Sequence, residues 1–293
     1  MAGLGDLPIE LYEQIILFLD PIDAVQFAQT CSVYYSLLYA PDDQRLWREL
    51  YLREPFDDPR QCRTSLGCHP PPVDWKTQLQ RIIRARTVLT NPSVCKPEER
   101  CVILQTLIDL VSTCIPSPEP SNNQVWVAAM LRASPLLSDD PSVSAWESDA
   151  PSADPDREEQ LRARLHTYYG LTSEDYQSSA LTRSRAFVYA MRNYKFDNDF
   201  GPYLMDSSGR VNWVHVRALH HVVSMHIVPR TEEATQAAFN VFPMSMPWTQ
   251  SVIPHGLDLK DNPDWAGVNG RWQCSFCFCD HRELLSKCLS ALV

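Results

Sequence analysis

Residues 6–53, DLPIELYEQIILFLDPIDAVQFAQTCSVYYSLLYAPDDQRLWRELYLR, carry more large apolar side chains than a unit of that length can hide. That surplus constrains the fold more than any other stretch of the chain. Pro8 stands where a helix can begin without losing a backbone hydrogen bond. Leu11, Ile15, Phe18 and Leu19 then recur at helical spacing. Asp20-Pro21 stops that helix and caps the next. PIDAVQFAQT reads as a short second helix carrying Val25 and Phe27, and CSVYYSLLYA as a third. Pro41-Asp42-Asp43 opens a fourth, which ends in Leu46 and Trp47. Three or four short helices bury little surface, so Ile9, Ile16, Phe18, Phe27 and Trp47 cannot all face one small core. Such a unit has to dock, either on the rest of its own chain or on an outside partner.

Residues 54–72 are rich in Pro and polar side chains and read as a linker. The remainder, 73–293, is expected to form a second, mostly helical unit. Pro outnumbers Gly by 23 to 9 over the 293 residues, which favours short helices with rigid connections over a long open sheet. Helical periodicity runs through 73–89, where Trp75, Leu79, Ile82 and Ile83 share one side. It returns in 96–114, opened by Pro97 and acids, in 156–171, in 173–194 and in the later part of 209–228. Between Ser134 and Glu159, Pro, Ser and acidic residues dominate, with eight acids against one Arg. That composition buries too little apolar area to order itself and predicts a disordered acidic loop over 134–159. Beyond 228 the texture turns to aromatics, Pro and Gly in short alternating runs. Short antiparallel strands near the C-terminus are expected there, then a helix over 282–292. The predicted fold is mainly α, an N-terminal three- or four-helix unit followed by a helical domain with those few strands.

The N-terminal block resembles an F-box. That pattern runs Leu-Pro, a Glu, Ile and Leu at helical steps, a short polar break, an apolar pair, a Cys near the third helix and a late Leu-Trp. These fall in order on Leu7-Pro8, Glu10, Ile15, Leu19, Asp20-Pro21, Val25, Phe27, Cys31 and Leu46-Trp47. Tyr34-Tyr35 stand where polar or basic residues are more usual. The resemblance places an F-box over 5–53, about one-sixth of the chain. It implies that the block binds the Skp-type adaptor of a cullin-based, SCF-type ubiquitin ligase, and that the rest selects the protein substrate. It implies partner contacts by Leu7, Pro8, Leu11, Ile15, Ile16, Leu19, Val25, Phe27, Cys31 and Trp47. Residues 200–223 and 262–284 also resemble segments of F-box proteins common in filamentous fungi. In those relatives the chain continues well past the run that here reads Asp280-His281-Arg282-Glu283-Leu284, so the substrate-recruiting region is expected to be incomplete.

Little in the sequence points to catalysis. There is no Gly-rich phosphate loop followed by Lys-Ser/Thr, no HExxH and no GxSxG, and an F-box receptor needs no enzyme chemistry of its own. No cofactor is implied. The net charge of −10 argues against nucleic-acid binding. No apolar run approaches the length of a membrane span, and the N-terminus lacks a signal-peptide pattern. Ten cysteines in a long chain of this kind read as mostly reduced thiols, and the expected location is cytoplasmic, nuclear or both. His215, His220, His221 and His226 include no pair at the i, i+4 spacing that chelates a metal. In RWQCSFCFCDH (271–281), Cys274, Cys277, Cys279 and His281 make the one zinc-like cluster. The alternation of Phe276 and Phe278 with the thiols suits a strand better than a metal knuckle, and buried apolar thiols are the favoured reading. Two other readings stand beside the receptor: an adaptor-binding scaffold outside ubiquitylation, and a zinc-binding domain centred on 274–281.

Overall fold

The structure is a computed structural model that describes residues 7–40, 44–64, 67–117, 120–138, 145–146, 151–227 and 269–270. The expected C-terminal strands, the helix over 282–292 and the Cys274–His281 cluster lie outside the described residues. Among the described residues the fold is mainly α. Four short helices come first, α1 (Ile9–Phe18), α2 (Pro21–Ala28), α3 (Ser32–Tyr39) and α4 (Arg45–Arg53). Six more complete the described set: α5 (Trp75–Thr90), α6 (Arg100–Ser112), α7 (Asn122–Ala133), α8 (Pro155–Tyr169), α9 (Ser178–Val188) and α10 (Trp213–Ile227). The described sheet is one antiparallel pair, β1 (Arg63–Thr64) with β2 (Thr113–Cys114), in register Arg63 to Cys114 and Thr64 to Thr113.

The punctuation read from the sequence sets the first helices. The Asp20 side chain accepts the Ile22 N–H at 2.9 Å, with Pro21 in the first helical turn of α2. Cys31 plays the same part for α3, its sulfur accepting the Val33 N–H at 3.3 Å. Gln44 adopts a left-handed backbone at φ 50° just before α4, and α4 then runs on past Trp47 to Arg53. Elsewhere the periodicity reads some boundaries differently from the structure. Residues 173–194 are not one helix: a single turn over Glu174–Tyr176, α9, and a turn over Met191–Asn193 divide them. The cause is Asp175, whose carboxylate takes the Thr172 N–H at 2.7 Å and so fixes a turn ahead of α9.

Helix order becomes spatial order. α1 packs on α2 and α4, α4 on α5, and α5 on α6 and α7. α6 carries α8, and α10 lies against both α8 and α9. One continuous apolar core runs from Tyr12 and Ile16 of α1 through Trp47 and Tyr51 of α4, Leu79 and Ile82 of α5, and Leu104 and Leu107 of α6 to Leu165 of α8. The four-helix unit therefore docks on its own chain. Polar contacts reinforce that seam. Arg86 of α5 donates to both Asp20 carboxylate oxygens at 2.7 Å and lies 3.7 Å from Glu54. Burial works against ionised Asp20, but the Arg86 guanidinium and the Ile22 N–H outweigh it and hold the carboxyl below its ordinary value.

The first half of the expected linker, 54–72, is a packed connection. Phe56, Asp57 and Cys62 are buried. Asp57 accepts from the Ser121 hydroxyl and from the Asn122 N–H at 3.0 Å, and its own N–H donates to Asn123 Oδ1 at 3.0 Å. A buried carboxylate thus sits at the N-terminus of α7, where the helix leaves N–H groups unpaired and the dipole favours negative charge. Composition alone marks this stretch as a linker because every one of those partners lies more than sixty residues away. The acidic segment 134–159 is likewise anchored at its described points. Leu136 and Leu137 are buried, Trp146 is 4% exposed, and α8 begins at Pro155. The Trp146 indole donates to Glu158 at 2.6 Å, and Arg100 lies 5.7 Å from its ring. Three large apolar side chains supply the holding force that the average composition of the segment conceals.

At the far end, Asp175 ties α8, α9 and α10 together. Its Oδ2 lies 3.0 Å from His166 Nε2, and its Oδ1 lies 3.8 Å from Arg217. Burial alone would raise its pKa, but His166, the Thr172 N–H and Arg217 prevail and hold it well below the carboxylate range. The unfolded chain therefore binds the proton more readily than the folded one, so this contribution is complete above the ordinary carboxylate value and is lost as the pH falls below about 4. The urea midpoint is expected to fall between pH 7 and pH 3, and Asp175→Asn should flatten that fall while lowering the midpoint at pH 7.

Candidate functional site

α1 is apolar on two stripes. Tyr12 and Ile16 face the core, and Ile16 is wholly buried. Leu11, Ile15 and Phe18 form a second stripe about 100° around the helix axis, at the i, i+4, i+7 steps of one face. Leu11 is 47% exposed and Phe18 79%, with Ile15 half-buried between them. Leu7 and Ile9 extend the apolar surface at the start of the helix, and Ile22, Val33 and Tyr35 add exposed apolar area on α2 and α3. The stripe is edged by a polar group. Arg53 of α4 lies 5.0 Å from the Phe18 ring. Packing on α5 leaves this surface uncovered. A helix with one apolar face in the core and another in water is built to receive a partner.

Residues 4–53 match the family model described as F-box-like. They form an F-box-like domain. No curated protein and no solved structure matches the chain. An F-box-like domain implies binding of a Skp-type adaptor.

The residues expected to make that contact divide into groups within the F-box-like domain. Leu7, Pro8 and Leu11 are exposed, and Ile15 is half-exposed beside them. Ile16 and Trp47 are corrected to core positions. Trp47 is 3% exposed, and its indole N–H donates to the Leu38 carbonyl at 2.9 Å. A late Leu-Trp in the sequence serves to close the small helical unit, because its area and its single donor are both used inside. Leu19, Val25 and Phe27 are half-buried and pack against the core. Val25 lines a groove of about 270 Å³ between α2 and α5, together with Ile22, Ile83 and Thr87. Phe27 stacks on Tyr34 with ring centres 4.6 Å apart. Cys31 is the cap of α3.

Phe18 and Ile9 are functional candidates that the family pattern alone does not select. The available signal is spacing, since Phe18 comes seven residues after Leu11 and Tyr12 and Ile16 already fill the core-facing side.

Elsewhere the described residues offer structure more than chemistry. Cys62, Cys95 and Cys114 are buried free thiols, and burial pushes them up to about 12, 11 and 11, far from the thiolate form that reacts or binds metal. His215 and His221 are buried and hydrogen-bonded, His215 to the Tyr194 hydroxyl at 3.1 Å and His221 to the Asp175 carbonyl at 2.8 Å.

Proposed function

We propose that the chain is the substrate-recognition subunit of a cullin-based, SCF-type ubiquitin ligase, without enzyme activity of its own. The observation that carries this reading is the exposed Leu11–Ile15–Phe18 stripe on an F-box-like domain whose opposite side is fused by a continuous core to a larger helical unit. The stripe takes the adaptor, the adaptor brings the cullin, and the helical unit holds the protein to be modified. Ubiquitin transfer then proceeds by proximity on other subunits. The six free cysteines among the described residues support a reducing compartment, cytoplasm or nucleus.

The test is co-purification of the full chain with a Skp-type adaptor and cullin. Leu11→Asp with Phe18→Asp is expected to weaken adaptor binding at least about 100-fold, because two charges would be buried unpaired at the contact. The melting temperature of the free chain should change little, since both side chains face water. Undiminished adaptor binding by the double variant would remove this surface from the reading. Recovery of adaptor without cullin would favour a scaffold that acts outside ubiquitylation.

A further inference from the structure

A cavity of about 220 Å³ lies between α8, α9 and α10, at the opposite end of the packing order from the F-box-like domain. Each of the three helices sends one arginine to its wall: Arg162 from α8, Arg183 from α9 and Arg217 from α10. The space exists because small residues, Ala163, Ala180 and Ala218, occupy the same three helices where they meet. In a chain with 36 acidic and 26 basic side chains, three arginines lining one cavity are a local excess of positive charge.

Two carboxylates also reach the wall, Glu159 and Asp175. Asp175 is already engaged: one oxygen meets the Thr172 N–H, the Thr172 hydroxyl at 2.9 Å and His166, and the other faces Arg217. Ser184 and His221 satisfy one another. His221 Nε2 faces the Asp175 carbonyl, so that nitrogen carries the proton, and Nδ1 accepts from the Ser184 hydroxyl at 2.7 Å. Arg162 and Arg183 make no ion pair or hydrogen bond among the described residues, and Glu159 is the one acid left to balance them. Phe187 and Val214 give the cavity an apolar wall beside the cations.

We infer that this cavity binds a phosphate monoester, its phosphoryl oxygens on Arg162, Arg183 and Arg217 and its organic part against Phe187 and Val214. Guanidinium groups match phosphate by paired, charge-assisted hydrogen bonds, and three of them from separate helices suit a dianion approached from several sides. The site is independent of adaptor binding, and its success or failure leaves that reading where it stands.

Calorimetric titration of the full chain with inorganic phosphate and with phenyl phosphate, at matched ionic strength, tests it. Saturable binding of at least one probe is expected. Arg162→Gln and Arg183→Gln should each weaken it by about tenfold or more, and Arg132→Gln, an exposed change on α7 away from the cavity, should leave it unchanged. Tighter binding of phenyl phosphate supports the ester, and equal or tighter binding of inorganic phosphate overturns the role given to Phe187 and Val214 and with it the ester. No heat from either probe, or unchanged affinity in both arginine variants, overturns the proposal. Arg183 is exposed, so its single variant stays informative even where the half-buried Arg162 change impairs folding.

Discussion

Trp47→Ala is expected to lower the stability of the chain by about 3–5 kcal/mol. The side chain fills the centre of the four-helix unit at 3% exposure, meets Tyr39 edge-on at 5.5 Å and donates to the Leu38 carbonyl. Truncation opens a cavity and leaves that carbonyl without its donor. The whole chain has only some 5–15 kcal/mol in hand, so thermal unfolding should begin roughly 10 °C or more lower. Phe18→Ala is the control. Phe18 is comparably large but 79% exposed, so its removal should move the melting point little while weakening adaptor binding. The pair separates a residue that builds the F-box-like domain from one that the domain presents. Equal melting of the two variants would refute the core placement of Trp47.

Asp57→Ala should cost about 3 kcal/mol or more. The change takes the carboxylate acceptor away from the Ser121 hydroxyl and the Asn122 N–H and removes a negative charge from the start of α7. Asp57→Asn keeps an acceptor and should recover part of the loss. Since Asp57 joins the segment after α4 to α7, its loss should also loosen the seam between the F-box-like domain and the rest. Hydrogen exchange read by mass spectrometry is the direct check. Faster exchange is expected over 54–64 and 120–126 together, and a change confined to one of the two would contradict the coupling.

How far the sequence can be read depends on the range of each interaction. The helices of the F-box-like domain are legible because their signals are local: Pro8, the Asp20-Pro21 cap and apolar side chains one helical turn apart. α7 escapes notice because Val125-Trp126-Val127 is an unbroken apolar run with no polar side to give it a period, and its cap, Ser121, is itself held by Asp57. The separation of 54–72 from the helical unit beyond it fails for the same reason, since its contacts close loops of more than sixty residues. For the proposed docking surface, the family pattern selects residues from both the exposed and the buried side of α1. It ranks Ile16 and Trp47 with Leu11, and only burial separates them. The arginine cavity leaves no trace in the sequence, because Arg162, Arg183 and Arg217 become neighbours only when α8, α9 and α10 pack.

The continuous core between α4 and α5 also has a consequence for synthesis. The ribosome finishes α4 at Arg53 before it has made Leu79, Ile82 or Leu89, which complete the shared core. At about 5–20 residues per second, the nascent F-box-like domain waits roughly 2–7 s with the α4 side of its core uncovered and the Leu11–Phe18 stripe already exposed. An adaptor or chaperone that arrives in that interval meets two greasy faces where the finished protein shows one.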